Sequence, residues 1–136
     1  MKEFSFPIRV YYEDTDFAQV VYHANYLKFM ERARTEWLRD MGFDQQKMLE
    51  EDSVFAVTDL QISYLKSAHF NDQLLVKSRI INCSFVQVTF EQEIYLQDNL
   101  ENPLSKAVVK VASLRFSTMK PLKLSKTIRE EFLRVI

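Results

Sequence analysis

The sequence predicts an α+β fold in which an antiparallel sheet of about five strands packs on one long helix. Three observations point there. Apolar residues repeat at helical spacing over only one long stretch, from about His23 to Met41. One stretch before it and about four after it alternate with a period of two. The links between the later stretches are hairpin-sized, which favours antiparallel neighbours.

Taken in order, Phe4 to Tyr12 is rich in aromatic and β-branched residues and reads as a strand, broken by Glu13-Asp14-Thr15-Asp16. In the helix, Tyr26, Met30, Ala33, Trp37 and Met41 fall on one stripe, flanked by Leu27, Phe29 and Leu38. Lys28, Glu31, Arg32, Thr35, Glu36 and Arg39 take the opposite face, with Arg32 and Glu36 at favourable i,i+4 spacing. Arg34 lies at the edge of the stripe, where a charge needs a partner. Glu31 is the available one, so Arg34 reads as structural or interfacial. Gly42 supplies the helix stop, and Asp44 caps a short helix through Leu49 and Glu50.

Beyond that point the alternation takes over. Leu60, Ile62 and Tyr64 alternate with Asp59, Gln61 and Ser63, and Val88, Phe90, Ile94 and Leu96 with Gln87, Thr89, Glu91 and Glu93. Leu74 to Phe85 and Lys106 to Phe116 complete the strands, the second with Ala107, Val109 and Val111 on one face. Asn71-Asp72 and Asp98-Asn99 supply turns, and Thr127 to Val135 forms a terminal helix capped by Ser125 or Thr127. One helix cannot cover both faces of such a sheet, and its edge strands want partners, so self-association is expected.

Composition excludes much. With 136 residues the chain makes a single domain, residues 1–136, and a net charge of −1 draws it to neither nucleic acid nor an anionic membrane. No apolar run approaches the roughly 20 residues that span a bilayer. The first residues show no signal peptide, and the single cysteine, Cys83, suits a reducing compartment, so a cytoplasmic location is expected. The chain has one glycine, Gly42, whereas phosphate-cradling loops, dinucleotide fingerprints and the Gly-x-Ser-x-Gly elbow need several. One cysteine and two histidines, His23 and His69, argue against a structural zinc; no metal and no cofactor are expected.

The chemistry is concentrated in Glu13 to Tyr26, where carboxylates, a Val20-Val21-Tyr22 run and His23 lead into the long helix. A helix N-terminus presents unpaired N–H groups and partial positive charge, which can stabilise a developing oxyanion. A carboxylate beside it can serve as nucleophile or general base towards a carbonyl carbon. The same residues also suit plainer roles. Asp14 and Asp16 are ordinary turn and capping residues, and His23 an ordinary polar helix start.

Arg9-Val10-Tyr11-Tyr12-Glu13-Asp14-Thr15-Asp16, then Val20-Val21-Tyr22-His23-Ala24-Asn25-Tyr26, then Glu31-Arg32-Ala33-Arg34-Thr35-Glu36 resembles the YbgC branch of the 4-hydroxybenzoyl-CoA thioesterase family. The match is clear from about Phe6 to Gln45. The resemblance implies a hotdog fold, a sheet wrapped around the long helix, and subunits paired through their sheets as homodimers or homotetramers with active sites between them. It implies hydrolysis of acyl-CoA, or of an acyl-carrier-protein thioester, to free acid and thiol. Asp16 would be the catalytic carboxylate, as nucleophile or general base, with the His23 amide polarising the carbonyl and its side chain as a second catalytic or orienting group. Tyr22 and Asn25 would contact substrate, and Lys120 and Lys123, with Arg115 and Lys126, are candidates for the CoA phosphates.

Two departures stand out. The branch has glycine just before the Val-Val pair, where Phe17-Ala18-Gln19 stands here, and many hotdog proteins have Gly-Asp where Asn71-Asp72 stands. The changed loop makes a non-catalytic acyl-CoA-binding module the alternative reading. A hotdog hydratase fits less well, because its aspartate and histidine lie about five apart on a different loop, against seven for Asp16 and His23.

Overall fold

The computed structural model describes all residues, 1–136. In chain order its elements are β1 (Glu3–Arg9), a 3-10 turn (Tyr12–Asp14), α1 (His23–Asp40), α2 (Gln45–Glu50), β2 (Ser53–Tyr64), β3 (Gln73–Cys83), β4 (Gln87–Leu96), β5 (Ser105–Arg115), β6 (Lys120–Pro121) and α3 (Lys126–Arg134). The strands form one antiparallel sheet in the order β1-β3-β4-β5-β2, with the two-residue β6 beside the end of β5. The sheet wraps α1, the arrangement that the resemblance implies.

Helix α1 ends as its sequence dictates. Gly42 sits at φ +92°, Gly42 N–H donates to Arg39 O at 3.0 Å, and Phe43 N–H reaches back to Leu38 O at 2.9 Å. These two bonds satisfy carbonyls the helix end would otherwise orphan. The Asp44 side chain accepts from Gln46 and Lys47 N–H and starts α2, and Ser125 caps α3 through Ile128 N–H.

The predicted stripe is the core. Phe29, Met30, Ala33 and Trp37 are sealed from solvent against Leu74, Val76, Ile80, Phe90, Ile94 and Val109 of the sheet. Phe4 of β1 stacks on Trp37 with centroids 5.8 Å apart, and Phe90 meets the same ring edge-on at 6.1 Å. Met41 is only partly buried, because the helix has already ended.

Several expectations need correction. Strand β1 stops at Arg9, since Tyr12–Asp14 winds into a 3-10 turn held by Asp14 N–H to Tyr11 O at 3.0 Å. Strands β2 and β3 are not a hairpin. β2 pairs only with β5 and forms one edge, while β3 lies between β1 and β4. Residues 65–72 carry the chain across, bonding to Leu104, Val21 and Val10 on the way. Asn71 does turn there at φ +73°, which asparagine tolerates. On α1, Glu36 pairs with Arg39 rather than Arg32, and Arg32 instead lies over the Phe29 ring at 5.9 Å. Arg34 pairs not with Glu31 but with Gln92, Nη1 to Oε1 at 2.8 Å, because Gln92 interrupts the apolar face of β4 and brings an acceptor into the core.

Tyr95 on β4 gives an alkaline handle. Burial, and then the hydrogen bond its hydroxyl donates to Glu93 Oε2 at 3.0 Å, push its phenol up to about 12 from 10.0. The folded state therefore holds the phenol proton more tightly than the unfolded chain, so this contribution is intact below pH 10 and lost as pH rises through about 12. Thermal melts across that window should show a steeper loss of stability in the parent than in Tyr95→Phe.

Candidate active site

The segment between β1 and α1 is stitched down at both ends. Thr15 bridges Val21, and Val20 bridges His69. Within it Asp16 N–H donates to Val20 O and Gln19 N–H to Asp16 O, both at 2.9 Å. The Asp16 side chain accepts from Ala18 N–H at 2.9 Å, which folds the tip. Gln19 stands at φ +67°, a left-handed conformation that glycine adopts at little cost. This is where the resembling branch carries glycine. Gln19→Gly should gain up to about 1 kcal/mol through relief of that conformation, less the entropy glycine adds to the unfolded chain; a melting-temperature comparison measures it.

The two aspartates divide the work. Asp14 is buried, 6% exposed; its Oδ1 accepts from Asn25 Nδ2 and its Oδ2 from Tyr11 N–H, each at 2.8 Å. Tyr22 N–H donates to Asp14 O at 2.9 Å. Asp14 thus ties the loop to the first turn of α1. Asp16 is exposed, and apart from Ala18 its carboxylate takes no donor from the chain.

Asp16 and His23 line one pocket of about 260 Å³, with Val20, Val21, Tyr26 and Tyr64 as its further walls and Lys66 and Ser67 at its edge. Tyr22 precedes α1 as its cap but offers no side-chain acceptor to the helix. Asn25 N–H donates to Tyr22 O at 2.8 Å, while the His23 and Ala24 N–H groups find no acceptor in the chain. The helix mouth therefore presents free amides and positive dipole beside a carboxylate. That pairing suits addition to a polarised carbonyl.

The His23 ring packs between Tyr22 at 4.6 Å and Tyr64 edge-on at 6.3 Å. Tyr64, at the end of β2, donates its hydroxyl to His23 O at 2.8 Å, and the Tyr26 hydroxyl accepts from Ala68 N–H at 3.0 Å. Burial is the leading cause that raises both phenols above their ordinary values, so each stays a neutral hydrogen-bonding group at neutral pH. Sequence reasoning missed Tyr26, Tyr64 and Lys66 as pocket walls. Tyr26 read as core, and Tyr64 and Lys66 lie some forty residues beyond the loop, with only an aromatic at a strand end as a signal.

Of the expected contacts, Tyr22 is exposed beside the mouth, while Asn25 is buried with its amide committed to Asp14. Lys120 and Lys123 are not brought here. Lys120 pairs across from Arg115, whose strand runs from there to Ser105 opposite Tyr64, a span of roughly 30 Å. Lys123 lies over the Phe85 ring at 5.9 Å. Arg115 reaches Asp52, 3.7 Å away at that same far end, and Lys126 pairs with Glu130 at 3.9 Å. No helix is long and apolar enough to cross a membrane.

Residues 18–102 match the family model described as the thioesterase superfamily. The acyl-CoA thioesterase YbgC of Haemophilus influenzae is 46% identical over 130 residues, covering 95% of this chain and 93% of that protein. The acyl-CoA thioester hydrolase YbgC of Escherichia coli O157:H7 is 42% identical over 130 residues, 95% of each. Among solved structures, a 1,4-dihydroxy-2-naphthoyl-CoA thioesterase from Synechocystis superposes with a TM-score of 0.89 at 23% identity, over 97% of this chain and 96% of that one. At that identity it speaks for the fold alone.

Proposed function

The chain belongs to the thioesterase superfamily, and we propose that it hydrolyses acyl-CoA to free acid and thiol, with Asp16 as its working carboxylate. The observation that carries this is the pocket that Asp16 shares with His23, the first residue of α1, whose N–H finds no acceptor in the chain. The thioester carbonyl oxygen docks on the His23 amide, which gains strength as negative charge develops on that oxygen. Asp16 then follows one of two balanced courses. It adds to the carbonyl carbon, expels the CoA thiolate and leaves an acyl anhydride for water to open, or it takes a proton from water as the water adds. Either course yields acid and thiol.

The His23 ring, fixed by Tyr22 and Tyr64, orients the mouth, and Tyr22 meets the incoming substrate. Asn25 serves through Asp14, by holding the loop rather than by touching substrate. The enzyme works as a homodimer, alone or doubled into a tetramer. β2 is an open edge of 12 residues, and unpaired edges invite a second copy. Antiparallel pairing of two β2 strands sets the Ser53 end of one beside the Tyr64 end of the other. Lys120 and Lys123, on the side of β5 away from β2, remain the candidates for the CoA phosphates in such a pair. The setting is cytoplasmic, where the lone Cys83 stays reduced.

Thiol release measured across short, medium, long and aromatic acyl-CoAs, with an acyl-carrier-protein thioester as a further arm, tests the reading. Turnover on at least one acyl-CoA is expected. Saturable binding without release on all of them would leave a binding module instead.

A further inference from the structure

Tyr26 is almost sealed within its own chain, 3% exposed, yet it forms part of the wall of the pocket that Asp16 and His23 share. Its hydroxyl makes one hydrogen bond, as acceptor from Ala68 N–H at 3.0 Å. A phenol also has a proton to donate, and no oxygen of the chain receives this one. Polar groups in protein interiors are nearly always met, so a buried donor with no acceptor calls for one. The pocket lies at this hydroxyl, since Ser67, the neighbour of Ala68, lines it.

Helix geometry aims the group. Long side chains on an α-helix lean back over the turn before their own Cα, and residues three apart share a face. Tyr26 is the fourth residue of α1, so its ring leans towards His23 and the helix mouth. Tyr64 at 5.5 Å and Phe29 at 6.3 Å hold that ring edge-on. These contacts all lie within one chain. Backbone pairing of β2 with a second copy extends the sheet sideways and leaves them in place.

The group is a hydrogen-bond donor rather than an acid. Burial above all holds the phenol above its ordinary value; Ala68 N–H pulls the other way, and Tyr64, Asp72 and Asp16 add to the rise. A thiol ordinarily titrates at about 8.5, so this phenol does not surrender its proton to a departing thiolate. It shares the proton with an oxygen that gains charge, and the bond accepted from Ala68 strengthens it in that role.

We propose that Tyr26 is a further catalytic residue, whose hydroxyl joins the His23 amide on the carbonyl oxygen of the thioester and tightens on that oxygen as it becomes an oxyanion. The proton stays on the phenol throughout. This rests on the thioesterase reading and adds a side-chain donor to a mouth otherwise built from main-chain amides.

Tyr26→Phe keeps the ring and should lower kcat roughly ten- to a hundredfold, with KM within about threefold of the parent. Ala68 N–H also loses its acceptor, so a lower melting temperature accompanies the change and rates alone do not separate anchoring from contact. The carbonyl stretch of bound acyl-CoA does. Butyryl-, octanoyl- and benzoyl-CoA with an isotope-labelled carbonyl are bound to Asp16→Asn, which slows their hydrolysis, and read by infrared difference spectroscopy. At least one band should lie below its solution frequency, and adding Tyr26→Phe should return it part of the way. Should Tyr26→Phe not fold, 3-fluorotyrosine in place of Tyr26 keeps the acceptor for Ala68, donates more strongly and should lower the band further. A folded Tyr26→Phe with the band unmoved overturns the proposal even where kcat falls. So does fluorination without effect, or a protein with Tyr26 intact on which none of the three bands shifts. Parental turnover in Asp16→Asn would refute the Asp16 assignment alone, and the spectra would then be taken by rapid mixing.

Discussion

Asp16→Asn should reduce thiol release by about a thousandfold or more while the protein melts within about 1 kcal/mol of the parent. The asymmetry follows from the contacts. The replacement amide would retain an oxygen to accept from Ala18 N–H, so the loop tip keeps its turn. It would lack the negative charge needed to attack a carbonyl or to deprotonate water. Because Asp16 is exposed and no other group in the chain leans on it, little stability rides on the change. Parental turnover in a folded Asp16→Asn protein would refute the assignment outright.

Asp14→Ala should do the opposite first and the same second. Its removal strands a buried Asn25 amide and the Tyr11 N–H, each an unmet donor at about 1 to 3 kcal/mol. A loss of roughly 2 to 4 kcal/mol, or about 6 to 15 °C in melting temperature, is expected. Activity should fall as well, since the loop that aims Asp16 is no longer tied to α1. Asp14→Asn keeps one acceptor oxygen and should lie between. The pair of variants separates a residue that performs chemistry from one that positions it: kinetics without a stability cost for Asp16, both together for Asp14. An Asp14→Ala protein as stable as the parent would remove the anchoring role.

These contrasts mark how far the sequence could be read. Helix α1, its end at Gly42 and the Asp44 cap are local matters, decided by residues within a few positions of each other, and were legible for that reason. The strands were legible as strands, since a period of two needs no partner to be seen. Their neighbours were not. Nothing in Leu60-Gln61-Ile62 says that it borders β5 rather than β3, because either arrangement buries the same face. The Arg34–Gln92 contact spans 58 positions, so the nearby Glu31 was the natural choice and the wrong one. The site divides in the same way. The juxtaposition of Asp16 with the helix mouth lies within one short segment and could be anticipated, whereas Tyr64 and Lys66 arrive from the end of β2 and the link beyond it. Lys120 and Lys123 were chosen on charge alone, and charge carries no address.

The donors at the start of α1 belong to the main chain, and this has a consequence for how such a site drifts over generations. A side-chain acid can be erased by a single base change. The amides of residues 23 and 24 survive every replacement except proline, since the genetic code spells side chains and leaves the peptide group untouched. The carboxylate is exposed to mutation and the amides are immune to nearly all of it, so lineages can sample new residues at position 23 while the unpaired N–H groups of the helix start endure.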